Sequence, residues 1–320
     1  IARKLGKTFG NPNQFLAIRQ DLESLEAVID RFIRYTEGMT DGLAGYIDGF
    51  HVWKQLFEQG FSGYLRGDRP LCSTPPIDMD TVMKDLKVRP LDFYANGEEL
   101  AKWFPKQTLP AELQFKEGEE SLAVWQDRLI PLHYGPSIYA AMAECKAGFL
   151  EMSNPLLNRK IIKTAYPLRD KIGSVYEVYK KWVLDRTPDI PKGVENSNVN
   201  LKDILRSEDM VKMMREEFDR ESAEKVFPRQ LLTLISEPLK IAGFSIDNVK
   251  PRHTSRFKYW IKQLIPQKFT DQRKKKKKYV LDPNILGFRA FIVLRMVHRF
   301  EEDTRLFHHI TPLMKSQVPD

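Results

Sequence analysis

The residues best placed to do chemistry fall at Gly67-Asp68, where the short apolar stretch after Gly60 ends in a glycine and an acid. A helix-like run, Ile47 to Gln59, precedes that stretch. The order helix, buried strand, glycine-acid turn is how an open α/β sheet presents a ligand site at a strand's carboxyl end. Gly67 would let the backbone approach a ligand closely. Asp68 would supply a hydrogen-bond acceptor, a metal ligand or a proton-transfer group. A Gly-Asp pair also makes an ordinary turn, and that reading stays open.

Two later stretches matter in combination with this one: Glu151-Met152-Ser153-Asn154-Pro155-Leu156-Leu157-Asn158, and Tyr179-Lys180-Lys181-Trp182-Val183-Leu184 with Pro188-Asp189-Ile190-Pro191-Lys192 behind it. In order and separation the three resemble the synthetase domain of asparagine synthetases. Gly67-Asp68 is similar to the first pair of that family's Gly-Asp/Glu-Gly-x-Asp-Glu-Leu-Phe-Gly-Gly-Tyr loop. Glu151 to Asn158 keeps the Glu-to-Pro spacing of its Glu-x-Arg-x-Pro-Phe-Leu-Asp segment. Residues 179–184 resemble its Lys-Tyr-Leu-Leu-Arg helix. The resemblance covers about residues 1–195.

The resemblance implies an α/β domain, seen here mostly through its helices, with a remnant of an adenine-nucleotide-hydrolase-like parallel sheet. Residues 196–320 read as a helical extension. It also implies an ATP- and Mg²⁺-dependent ligase that adenylates a small-molecule or peptide carboxylate, after which an amine displaces AMP to form an amide. A glutaminase domain or partner chain would deliver ammonia. By the same resemblance Gly67, Asp68, Lys180 and Lys181 would hold the nucleotide. Asp68 and Lys181 would act on the reacting groups, and Glu151 would orient structure. A lysine beside the α-phosphate would stabilise the charge that develops as pyrophosphate departs.

The departures from the family pattern are specific. Leu71 stands where the second, magnesium-associated acid belongs, and leucine offers no oxygen to a hard cation. Ser153, Asn158 and Asp185 stand where the family has Arg, Asp and Arg. The Ser-Gly-Gly-x-Asp-Ser phosphate loop is not found. The chain opens on Ile1 without an initiator Met, so it reads as a fragment with that loop expected upstream or on a partner. A non-catalytic, asparagine-synthetase-like scaffold or binding subunit is the alternative.

Composition bounds these readings. The 320 residues are 42% hydrophobic and 29% charged, ordinary values for a globular protein. No apolar run approaches the roughly 20 residues a spanning helix needs. Two cysteines, Cys72 and Cys145, exclude a disulfide framework and point to a reduced, cytoplasmic setting. The adjacent His308 and His309 point in different directions on a helix, which argues against a metal site. Arg273 and Lys274–Lys278 supply six of the net eight positive charges, so the basicity is local. The run at 273–278 reads as a solvated loop; nucleic acid or anionic membrane is the third, weaker partner class.

The elements that must position the candidate residues are mostly helices. Ser24 caps an amphipathic helix carrying Leu25, Val28, Ile29, Phe32 and Ile33, ended by Gly38. Further helices are expected over 49–59, 78–87, 97–104, 122–132 (capped by Ser121), 137–148 (capped by Ser137), 155–163, 175–184, 207–225 and 229–242. Residues 105–118 read as a loop. A last helix, from Asn284 to about His308, carries a core stripe of Ile285, Phe288, Ile292, Met296 and Phe300. Strand signals are confined to about 7–10 and 61–66.

Overall fold

The computed structural model describes residues 23–43, 50–66, 76–106, 108–165, 201–242 and 279–315, with isolated positions at 6–7, 10, 16, 181–182 and 185–186. Helices dominate, accompanied by one small parallel sheet. The expected helix over 175–184 lies largely outside the described residues. Lys7 is helical and Gly10 sits in a turn, at either end of the stretch read as a strand.

The first helix, α1 (Leu25–Thr36), forms as its sequence dictates. The Ser24 hydroxyl accepts the Ala27 N–H at 3.2 Å, and Val28, Ile29, Phe32 and Ile33 are buried along one stripe. Glu37 turns left-handed, and Gly38 follows at φ +69°. A side chain at Gly38 would stand 2.9 Å from Met296 Cγ, so glycine also permits close packing there.

Met296 belongs to the terminal helix, which with three shorter ones completes the main core. These are α9 (Leu201–Leu205), α10 (Glu208–Phe218), α11 (Arg229–Ser236) and α12 (Pro283–Lys315). Pro283 opens α12 at a position where a missing N–H costs nothing. Buried Met210, Val211, Met214, Phe218, Leu231, Leu232, Ile235, Phe288, Phe291 and Leu294 form one cluster with the α1 stripe, Leu100 and Cys145. This core draws on residues from both sides of position 195.

The stripe on α12 is shorter than its sequence suggests. Phe288 and Ile292 are buried, but Phe300 is 63% exposed. At about 1.5 Å per residue, the 33 residues of α12 far outrun the 11 of α10, so the apolar face beyond Met296 has less to pack against.

Two polar knots secure α12. Asn284 is fully buried; its amide donates to Leu205 O at 2.8 Å and Lys240 O at 3.0 Å, and its oxygen accepts Lys240 N–H at 3.0 Å. Beside it, Asp282 accepts Asn284 N–H and meets Arg206 at 2.7 Å and Lys202 at 3.2 Å. Burial pushes the Asp282 carboxyl up, and Lys202 and Arg206 more than reverse this, holding it below the usual carboxylate range. In the second knot the fully buried Glu217 of α10 faces Arg295 Nε and His298 Nδ1, both at 2.8 Å, and Arg220 at 3.4 Å. None of these contacts has aligned hydrogen-bond geometry, so Arg295 and Arg220 meet Glu217 as ion pairs. Arg295 also reaches Glu26 and Asp30 of α1, at 3.4 and 3.5 Å.

A second, smaller cluster contains Val82, Met83, Leu86, Leu113, Trp125 and Leu129. It is built from α3 (Met79–Asp85), α5 (Ala111–Gln114) and α6 (Leu122–Leu129), with α4 (Gly97–Ala101) next to α3 in chain order. The 105–118 segment is thus not all loop. Trp125 seats α5 by donating its indole N–H to Glu112 O at 2.9 Å.

Ser121 caps α6, accepting Val124 N–H at 3.2 Å. Ser137, by contrast, caps nothing. Residues Ile130–Tyr139 continue α6 as a widened π-helix running straight into α7 (Ala140–Ala147), and the Ser137 hydroxyl donates to His133 O. Pro136 lacks an N–H and would clash with a carbonyl in a regular α-turn; the wider turn absorbs it. The Ala140 N–H reaches back five residues to Gly135 O. Likewise the helix expected from Pro155 divides into a 3-10 turn (Pro155–Leu157) and α8 (Arg159–Ala165).

Two predictions follow from the polar knots. Glu217→Ala strands Arg295 and His298 and should cost about 3–5 kcal/mol in urea unfolding; a loss below 1 kcal/mol would show the charge cluster to be dispensable. Asp282 contributes stability that is present above its unfolded pKa and lost as pH falls through its lower folded value. The parent should therefore lose more stability than Asp282→Asn between about pH 5 and pH 2. Parallel stability curves for the two proteins would exclude that contribution.

Candidate functional site

The sheet consists of β1 (Gly63–Leu65) and β2 (Glu151–Ser153), paired in parallel with Gly63 opposite Glu151, Tyr64 opposite Met152 and Leu65 opposite Ser153. It brings together the two stretches, nearly ninety residues apart, that carry the strongest sequence signals. β2 had no strand signal of its own. Three residues, Glu-Met-Ser, show too little alternation to register, and pairing with β1 alone makes them a strand.

Position is transmitted to the sheet from the main core. α1 packs on α7, where Gly148 stands so close that a side chain there would lie 3.2 Å from the Tyr35 hydroxyl. From α7 the chain passes through buried Leu150 directly into β2. β1 then docks on β2: Glu151 N–H donates to Ser62 O at 2.9 Å, and Arg66 N–H donates to Ser153 O at 2.9 Å. A Cβ at Gly63 would stand 2.9 Å from Glu151 O, so the strand approach needs a glycine there.

One face of the sheet is covered. Tyr64 meets Trp53 of α2 (Phe50–Glu58) at 5.1 Å between ring centroids, and Lys146 of α7 lies 5.2 Å from the Trp53 ring. The Arg66 guanidinium lies 5.7 Å from the Tyr139 ring and donates to Met152 Sδ at 3.8 Å. On the opposite face Gly63, Leu65, Glu151 and Ser153 are exposed, Leu65 at 78%. The strand after Gly60 is therefore half covered, not buried as expected: with two strands and helices on one side, its other face stays in solvent.

The carboxyl ends of both strands point the same way, and there the chain offers Arg66, Ser153 and Asn154. Arg66 escaped sequence reasoning, although it directly precedes Gly67. Gly67, Asp68 and Leu71 lie outside the described residues, but β1 delivers the chain to them from this carboxyl edge. Asn158, standing where the family pattern has an acid, caps α8 by accepting Lys160 N–H at 2.9 Å.

Glu151 lies at the amino end of β2, away from that edge. Its contact with β1 is made by its backbone, and among the described residues its exposed carboxylate makes no hydrogen bond or ion pair. Lys181 is exposed on a helical turn beside Trp182, whose ring carries Arg186 at 4.3 Å. Among the described residues no hydrogen bond or ion pair joins Lys181 to the strands. Lys180 and the 273–278 run lie outside the described residues.

Among the described residues no three His, Cys, Asp or Glu side chains converge to hold a metal ion. No helix among them is long and apolar enough to cross a membrane. Cys145 is buried, with Sγ 3.7 Å from Ala141 O, and burial pushes its thiol up to about 12. At neutral pH such a thiol is not a nucleophile.

Gly63→Val should destabilise the protein by about 1–3 kcal/mol, because the clash is with backbone; an unchanged urea midpoint would show that the strands do not pair this closely. Cys145 should resist iodoacetamide at pH 8 until denaturant is added, as read by peptide mass mapping. Rapid native labelling would overturn its burial. Comparison of the chain with family models, curated proteins and solved structures finds no match.

Proposed function

We propose that this chain is the mostly helical part of an asparagine-synthetase-like, ATP-dependent ligase that forms an amide from a carboxylate. One observation carries the reading. The strand that leads toward the stretch resembling the family's acid loop, Gly63–Leu65, pairs in parallel with Glu151–Ser153, which opens the stretch resembling its Glu-to-Pro segment, although nothing in local sequence links the two. Ligands of open parallel sheets bind outside the carboxyl edge. In the sequence Asp68 follows the last residue of β1 by three positions.

In this reading Gly67 allows close backbone approach and Asp68 accepts a hydrogen bond or a proton. Lys181 and Lys180 supply charge to departing pyrophosphate, and Arg66 adds a cation at the edge. ATP and Mg²⁺ are the cofactors implied. The phosphate cradle and the ammonia source belong to another segment or partner.

A second reading, a non-catalytic binding or scaffolding subunit, has its own support. Asn158 serves as a helix cap, and Glu151 turns its carboxylate to solvent. The readings separate on the full-length protein given millimolar ATP and Mg²⁺. The ligase should melt a few degrees higher with nucleotide, since a ligand of the native state raises its stability. It should also release pyrophosphate when a carboxylate substrate is supplied, and Asp68→Asn should slow that release by about 10²-fold or more. Neither a melting shift nor pyrophosphate release would leave the scaffold reading standing.

A further inference from the structure

Away from the sheet, the two hydrophobic clusters fail to close over one another. Between them lies an open cleft of about 690 Å³. Met83 and Leu113, from the smaller cluster, form one side; Leu91, which packs on the main core, and Phe93 form another. A volume of roughly 300–1,000 Å³ at such a junction is typical of small-molecule sites. Apolar surface continues outward from the cleft, with Phe115 65% exposed, Ile77 60% and Met79 44%. Leaving that much apolar surface in water is unfavourable by roughly 25 cal/mol per Å².

The polar content of the cleft narrows the ligand. Among the described residues, Lys106, Thr108 and Gln114 alone line it with polar side chains, and the Gln114 amide already donates to Leu109 O. An inserted peptide would bring backbone N–H and C=O groups that find few partners there. An aliphatic chain brings none. Among the described residues Lys106 is the one charged residue of the lining, and it is exposed with no ion-pair partner there.

We propose that this cleft binds a single-chain aliphatic carboxylate, its chain lying against Met83, Leu91, Phe93 and Leu113 and its head group meeting Lys106. The site is separate in chemistry from the carboxyl edge of the sheet and does not depend on nucleotide binding there.

Calorimetric titration of the full-length protein tests this with dodecanoate, dodecanol and dodecyltrimethylammonium, each below its micellar concentration. Dodecanoate should bind saturably at one site, about fivefold tighter than dodecanol, the worth of one solvent-exposed ion pair. The ammonium compound should bind more weakly than either. Lys106→Gln should bring dodecanoate to the affinity of dodecanol and leave dodecanol unchanged. Ala101→Trp, which fills the cleft from the exposed end of α4, should abolish binding of all three. Phe115→Asp, at an exposed position, should weaken all three and serves if the first variant misfolds. Absence of saturable dodecanoate binding, binding that persists in both cleft variants, or indifference to Lys106→Gln would each overturn the proposal.

Discussion

Everything described here depends on how α12 is seated. It enters the core behind Asp282 and Asn284, and Asn284 spends its buried amide on two backbone segments, at the end of α9 and after α11. Had these groups stayed unpaired, their burial would oppose folding rather than direct it. About three turns later, Arg295 joins α12 to Glu217 of α10 and to the acids of α1. A buried charge such as Glu217 is weak evidence for net stability but strict about geometry, since a shift of either helix would strand it. Apolar burial thus supplies the attraction between these helices, and the polar knots select one arrangement of them.

That arrangement reaches the candidate site through a short mechanical path. The core positions α1, α1 supports α7, and α7 runs through Leu150 into β2, on which β1 is laid. The carboxyl edge of the sheet is therefore held from behind by the main hydrophobic cluster. Parallel strands are usually covered on both faces. Here one face carries Tyr64 against Trp53, Lys146 by the Trp53 ring and Arg66 by Tyr139 and Met152, and the other is exposed.

Much of the helical skeleton was legible because its causes are local. Ser24, Asp78, Ser121 and Ser207 each cap a helix by accepting a backbone N–H three residues on. The i, i+3, i+4 stripe of α1 is buried as its spacing implies. Pro136 read equally well as a break between two helices, however, because a π-turn that absorbs a proline has no signature of its own. Phe300 fitted the α12 stripe by period and is exposed because period cannot say how far a neighbouring helix extends. Arg66 drew no notice, since a single cation before a glycine is unremarkable until its strand end is located.

By itself the sequence determined where several helices start, which face of α1 is apolar, and that residues 60–68 and 149–158 are the stretches to watch. Those properties rest on capping, periodicity and turn chemistry within a few residues of each position. Only the tertiary structure decided that Glu151–Ser153 is a strand, that it lies parallel to Gly63–Leu65, and that Glu217 is buried against Arg295 and His298. Each of those facts is a pairing between residues distant along the chain. Its energy exists only once both partners are in place, so neither partner's local sequence encodes it.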